Sequence, residues 1–236
     1  MRFVMFDIGG VLANDMFNVL FETLLASDVE SDKSELKQIM SIADEVWGDY
    51  KLGKITEDEF FKTIIQKSSI SSAISRRGHF TGDDEGLLNY LKKTLREQNF
   101  ALFTETVQFA SKLKSVTNIK IGILSNHSKE WIHDLFLLND GLLNQVFDNK
   151  DLVVISCDDD ICAAKPDFKV YEGMLSRIKL VDPHVSLDQI IFIDDKKRNT
   201  DAAIHFGITH SIHFDARKQS VEQHLRPQLE QFSIFY

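Results

Sequence analysis

Three short apolar runs in this chain each end abruptly in polar residues. Phe3-Val4-Met5-Phe6 meets Asp7, the run 119–124 meets Ser125-Asn126, and the run 190–193 meets Asp194-Asp195. Runs that are apolar at nearly every position predict strands covered on both faces, the pattern of a parallel sheet. In such a sheet the strands finish along one edge, and open α/β folds bind ligands in the crevice there. Asp7 is followed closely by Gly9 and Gly10, which let the backbone turn sharply and come near a ligand. Taken alone, Asp7 capping that turn is an equally simple reading; the other strand ends weigh against it.

Between the runs the periodicity is helical. From residue 14 to about 98 the pattern is largely polar and without a strand, with Leu36, Ile39, Met40, Ala43, Val46 and Tyr50 on one helix face. Thr56 and Glu59 form a capping box, stapled by Ile55 and Phe60. Phe60, Phe61, Ile64 and Ile65 mark the helix that follows. The stretch 68–84, rich in Ser, Gly and charge, reads as a loop. Leu87, Leu88, Leu91 and Leu95 mark another helix. From about residue 101, helices at 107–113, 132–136, 167–178 and 202–206 alternate with strands, those at 152–155 and 211–214 included. Gly207 caps the fourth of these helices. Ser220 and Gln223 cap a final helix that Pro227 kinks or restarts. The predicted fold class is α/β: a Rossmann-like parallel sheet from residues 1–14 and 101–236, interrupted after its first strand by an all-helical cap at 15–100.

The net charge of −9 comes without any run of lysines or arginines. That excludes the basic footprint of a nucleic-acid or anionic-membrane binder, and no apolar run is long enough to span a bilayer. Cys157 and Cys162 are read as reduced thiols, and the N-terminus lacks a signal-peptide layout, so a cytoplasmic protein is expected.

Three carboxylates crowded at one sheet edge repel one another, and burial raises their pKa values. A divalent cation resolves that conflict, and carboxylates with a carbonyl oxygen and water suit Mg²⁺. Ser125 and Lys165 beside such a site suit a phosphate group, through a hydroxyl donor, a point charge and a metal.

Taken together, these stretches resemble the haloacid dehalogenase superfamily, and within it the Mg²⁺-dependent phosphatases with a helical C1-type cap. Phe6-Asp7-Ile8-Gly9-Gly10-Val11-Leu12 is similar to the first motif and Ile123-Leu124-Ser125-Asn126 to the second. Lys165-Pro166 is similar to the third, and Phe192-Ile193-Asp194-Asp195 with Asn199 and Ala202-Ala203 to the fourth. The stretch from Gly53 to Phe60 is similar to a common cap segment. The resemblance implies Asp7 as nucleophile and metal ligand, the Gly9 carbonyl as a second ligand, and Asp195 as the foremost further protein ligand, with Asp194 binding the metal directly or through water. Ser125 and the backbone at Asn126 would hold phosphoryl oxygens, and Lys165 would pair with Asp7 and the transferring group. Two departures stand out. Gly9 occupies the position where most such phosphatases carry a second Asp as acid and base, although sugar-1-phosphate phosphatases share the glycine. The stretch before Lys165 lacks the usual glycine, which leaves the placement of that lysine open.

The implied activity is hydrolysis of a small phosphorylated metabolite, a sugar phosphate among the candidates, through an aspartyl-phosphate on Asp7. The alternatives are a weakly active or inactive member that binds a phosphorylated ligand or partner, and a metal-free dehalogenase. The paired acids Asp194-Asp195 argue against the dehalogenase. Asp158-Asp159-Asp160 is read as a solvated loop, Arg76-Arg77 as solvated surface, Trp47 as core, and His127 as either loop filler or a substrate contact.

Overall fold

In the computed structural model, which describes residues 1–25 and 30–234, β1 (Arg2–Phe6) runs through the centre of a five-stranded parallel sheet. Residues 26–29 of the expected cap and 235–236 of the expected core lie outside the described residues. β2 (Ile119–Ser125) and β4 (Ile190–Asp194) flank β1; β3 (Val153–Ile155) lies beyond β2 and β5 (His210–His213) beyond β4. The register sets Val4 between Ile121 and Ile191, and Phe6 between Ile123 and Ile193. Side chains alternate along a strand. These residues therefore join the apolar cluster on one face, while Phe3, Met5, Leu124, Ile190 and Phe192 join the cluster on the other. Both faces are sealed, as unbroken apolar strands require.

Before β2 come α1 (Met16–Leu25), α2 (Glu30–Tyr50), α3 (Glu57–Lys67), α4 (Ile70–Arg76), α5 (Asp84–Thr94), a π-helical turn at Leu95–Asn99, and α6 (Thr104–Lys114). The chain leaves and rejoins the sheet side by side. The Asn14 N–H donates to the Ala101 carbonyl at 3.0 Å, and that of Phe103 to the Leu12 carbonyl at 2.8 Å. Ile39, Ala43 and Tyr50 of α2 and Phe60, Phe61 and Ile64 of α3 pack in the same cluster as the Val4 face of the sheet.

The capping box at Thr56 and Glu59 forms as expected. The stretch 68–84 is not all loop, for α4 lies inside it. Ile70, Ala73 and Ile74 are buried at helical spacing, and burying that face outweighs the modest helix propensity of the serines around it.

After β2 come α7 (Lys129–Val146), broken at Asn139, Asp140 and Gly141, then α8 (Phe168–Val181), α9 (Lys197–Phe206) and α10 (Arg226–Gln231). The Asp167 carboxylate caps α8 by accepting the Lys169 N–H at 2.9 Å. Gly207 ends α9 in the left-handed conformation, φ 114°. Pro227 stands in the first turn of α10, after a π-helical turn at Val221–Leu225, so the proline restarts the helix. No helix among the described residues is long and apolar enough to cross a membrane.

Glu57, the first residue of α3, ties this helical segment to α7. Its buried carboxylate accepts from Trp131 Nε1 at 2.7 Å and from both Arg96 terminal nitrogens at 2.8 and 3.1 Å. Arg96 also pairs with Asp134 at 2.7 Å. Removing the partner of a buried donor leaves that donor unsatisfied. Arg96 is a third exposed and keeps Asp134, so the main cost is the buried Trp131 N–H left unpaired, and Glu57→Ala should destabilise the fold by about 1–3 kcal/mol. Urea unfolding measures it, and an unchanged midpoint would show that the network carries no stability.

Candidate active site

The strand ends converge as their polar stops predicted. Asp7 follows β1, Ser125 ends β2, Asp194 ends β4, and Asp195 follows it. One oxygen from each of Asp7, Asp194 and Asp195 lies within 4.8 Å of the others, and all three residues are buried. Lys165, open in its placement from sequence, reaches the same spot with a side chain withdrawn from solvent. Its Nζ lies 2.9 Å from Asp7 Oδ1 and donates to Asp194 Oδ2 at 2.7 Å and to the Leu124 carbonyl at 2.8 Å. Asn126 fixes it there. The Asn126 side chain accepts the Lys165 N–H at 2.8 Å and donates to the Lys165 carbonyl at 2.9 Å. That side chain is thus spent on positioning Lys165, and only the backbone of Asn126 remains to meet a phosphoryl oxygen.

Asp194 is held on every side. Asn199 donates to both its oxygens at 3.0 Å, and the Lys196 N–H to Oδ1 at 2.7 Å. Asp195 is held on one side only. Its Oδ2 accepts from Arg217 at 2.9 Å, while its Oδ1 is buried with no hydrogen-bond partner. Gly10 has φ 78°, and a Cβ there would collide with the Asp195 carboxylate, so glycine is required on both counts. The Ser125 hydroxyl is buried, close enough to Asp7 to favour its charged form, yet completes no hydrogen bond of normal geometry.

The electrostatics follow from burial and a shortage of cations. Burial opposes the charge on Asp7, but Lys165, joined by Ser125 and Lys196, outweighs it and holds the pKa below the usual carboxylate value. Burial, only partly offset by Lys165, pushes Asp194 up to about 6. Burial and the neighbouring Asp7 push Asp195 up to about 7. Burial also opposes the Lys196 charge, yet Asp15, Asp195, Asp7 and Asp194 together keep its pKa above the ordinary value. The residues present therefore fit a small hard cation: three clustered carboxylates and a buried oxygen without a partner, in a site that ionises reluctantly without more positive charge.

A cavity of about 100 Å³ opens over Asp7, lined in part by Gly9, Asn126 and His127 from the sheet side and by Asp44, Trp47 and Lys51 from α2 and the turn after it. Trp47, expected in the core, is half-buried and forms part of this wall. His127 lies against Trp47 and Trp131, and burial lowers it to about 4, so it is neutral at pH 7. Arg76 and Arg77 line no part of the cavity and pair with Glu35 and Asp32. Asp158 and Asp160 pair with Arg177, and Asp159 with Lys129. Both cysteines are free; Cys157 is buried and pushed up to about 11 by that burial. Arg217, which reaches Asp195 from the loop after β5, was not flagged by the sequence. The nearest signal for it was a basic residue shortly after the last strand.

The model of the haloacid dehalogenase-like hydrolase family matches residues 4–212 of the chain. No curated protein sequence matches it. Among solved structures, a HAD family enzyme from Bacteroides thetaiotaomicron is 17% identical, covering 94% of this chain and 97% of its own, at TM-score 0.63. The HAD-hydrolase YfnB from Bacillus subtilis, bound to magnesium, is 18% identical over 99% of both chains at TM-score 0.58. The L-2-haloacid dehalogenase from Xanthobacter autotrophicus is 17% identical over 88% of this chain and 75% of its own, at TM-score 0.53. These likenesses carry the fold alone. The family match spans most of the chain, and the strand ends it includes meet around Asp7: the chain belongs to the haloacid dehalogenase-like hydrolases.

Proposed function

We propose that the chain is a Mg²⁺-dependent phosphatase acting on a small phosphorylated metabolite, with Asp7 as the nucleophile. The carrying observation is the Asp7–Asp194–Asp195 cluster with Lys165 between two of its acids. A metal-free dehalogenase has no use for a buried acid such as Asp195 with a free oxygen. Asp7, Asp195 and the Gly9 carbonyl would hold the cation, with Asp194, whose oxygens already accept from Lys165, Lys196 and Asn199, lending its charge through water; when bound, the cation neutralises phosphoryl charge. Asp7, kept ionised by Lys165, attacks phosphorus and forms an aspartyl-phosphate that water then hydrolyses. Lys165, Ser125 and the Asn126 backbone hold the phosphoryl oxygens, where charge spreads as the bond to the leaving group breaks.

The cavity is smaller than the roughly 150 Å³ that accommodates benzene in an engineered core. It admits a phosphoryl group, but a sugar ring needs the helical segment to lift. The Bacillus subtilis structure is described as revealing interdomain movement, which supports the same freedom here. A screen of phosphate esters with Mg²⁺ and with EDTA tests the reading, with 2-haloacids included. Hydrolysis that survives EDTA, or halide release in place of phosphate release, would overturn it.

Cation binding should also depend on pH with a defined sign. The Asp195 pKa is raised to about 7, so the folded protein holds this proton more tightly than the unfolded chain does. The cost of ionising Asp195 is absent below the unfolded carboxylate value, grows as pH rises, and is complete above about 7. Mg²⁺ takes the ionised form, so its stabilisation should be larger at high pH. Melting with and without Mg²⁺ should show a greater upshift at pH 8 than at pH 6; equal upshifts would mean that Mg²⁺ displaces no carboxyl proton in this range.

A further inference from the structure

The loop after β5 reaches the acidic cluster at Asp195, beside Asp15 and Lys196. The Ala216 N–H donates to the Gly10 carbonyl at 2.8 Å, which ties this loop to the turn after β1. The His213 ring meets the Asp195 carbonyl at 2.9 Å. Asp215 grips Arg217 in a fork. Arg217 Nε donates to Oδ1 at 2.7 Å, Nη2 to Oδ2 at 2.9 Å, and the Arg217 N–H to Oδ1 at 3.0 Å. The same Nη2 then donates to Asp195 Oδ2 at 2.9 Å.

Asp195 Oδ2 is therefore fixed twice, by Arg217 and by its packing on Gly10. Its other oxygen, Oδ1, is buried and unpartnered. A carboxylate held by one oxygen is a monodentate ligand already oriented. An unrestrained carboxylate would lose rotational freedom on taking up a metal. Guanidinium is suited to such a hold, because its planar fork engages two carboxylates at fixed angles.

We propose that Arg217, buttressed by Asp215, is a positioning residue that presents Asp195 Oδ1 to the cation. This rests on the phosphatase reading, in which Asp195 ligates Mg²⁺. The competing role, a bare positive charge beside the site, has the opposite sign: a cation next to a metal ligand repels the metal, so its removal would tighten binding.

The test is calorimetric titration of the whole protein with Mg²⁺ alone, no substrate present. Hydrogen-bonding partners of metal ligands typically contribute 10–100-fold to metal affinity. Arg217→Met should weaken Mg²⁺ by about that factor while circular dichroism shows an unchanged fold. Arg217→Lys keeps the repelling charge without the fork and should bind Mg²⁺ no more tightly than the Met variant. Mg²⁺ affinity that is unchanged or tighter in Arg217→Met overturns the proposal. Should the Met variant fail to fold, wild-type affinity in Arg217→Lys overturns it equally. A wild-type protein that takes up no Mg²⁺ overturns the cation-dependent reading first, and the proposal falls with it.

Discussion

Asp7→Asn is expected to lower turnover by about 10⁴-fold or more, as loss of a nucleophile does elsewhere. The amide keeps the shape of the carboxylate but carries no charge with which to attack phosphorus. The fold should survive the exchange. Lys165 retains Asp194 at 2.7 Å and the Leu124 carbonyl at 2.8 Å, so its buried ammonium is not left alone. Steady-state rates and a thermal melt separate the two effects. Beryllium fluoride, which mimics the phosphoryl group, should form its adduct on Asp7 in the wild-type protein. An adduct on another residue, or undiminished turnover in the Asn variant, would show that Asp7 is not the nucleophile.

The second large effect concerns Gly9. With no side chain there, no carboxylic acid from this position protonates the leaving oxygen. General acid catalysis contributes about 10²–10⁴-fold, or roughly 3–5 kcal/mol of barrier. Its lack weighs least on esters whose leaving group is already a weak base, such as aryl phosphates or sugar 1-phosphates. Wild-type kcat/KM should therefore fall steeply as leaving-group pKa rises towards alkyl esters. The structure leaves room for a side chain at this position: a Cβ on Gly9 would meet nothing nearer than the Asp15 Cα at 4.0 Å, and the backbone is not left-handed. Gly9→Asp should raise the rate on glycerol 3-phosphate by about 10²-fold and flatten the dependence on leaving group. A dependence already flat in the wild-type protein, measured where chemistry limits the rate, would mean that another group supplies the proton.

The strand ends were legible because buried parallel strands need unbroken apolar runs, and Asp7, Ser125 and Asp194-Asp195 interrupt them at the sheet edge. The convergence of those residues followed from parallel topology alone. Lys165 was harder, since its own segment departs from the usual pattern; the structure settles it through Asn126, whose amide clamps the Lys165 backbone. Helix α4 was hidden by serines, because its three buried apolar residues are a signal only once their burial partners are known. Arg217 was illegible for a further reason. It lies 22 residues from Asp195, and only the return of the β5 loop to Gly10 brings the two together. The cavity wall shares that difficulty. Asp44, Trp47 and Lys51 face Asp7 because α2 packs over the sheet edge, and periodicity says which side of a helix is apolar but not what it covers.

That wall has a consequence for how readily the substrate range can change. Trp47 lines the cavity, yet it also stacks on Trp131 at 5.3 Å and meets Tyr50 and Phe60 at 5.7 and 6.2 Å. Trp131 in turn donates to Glu57. Reshaping the cavity at Trp47 thus loosens the attachment of the whole helical segment, and proteins stand only a few kcal/mol above their stability threshold. Asn18, Asp44 and Lys51 line the same cavity without belonging to the apolar cluster. Adaptation to a new metabolite should therefore run through these polar positions. A library randomised there should keep a larger folded fraction than one randomised at Trp47, and the reverse ranking would show that the wall is not what holds the segment down.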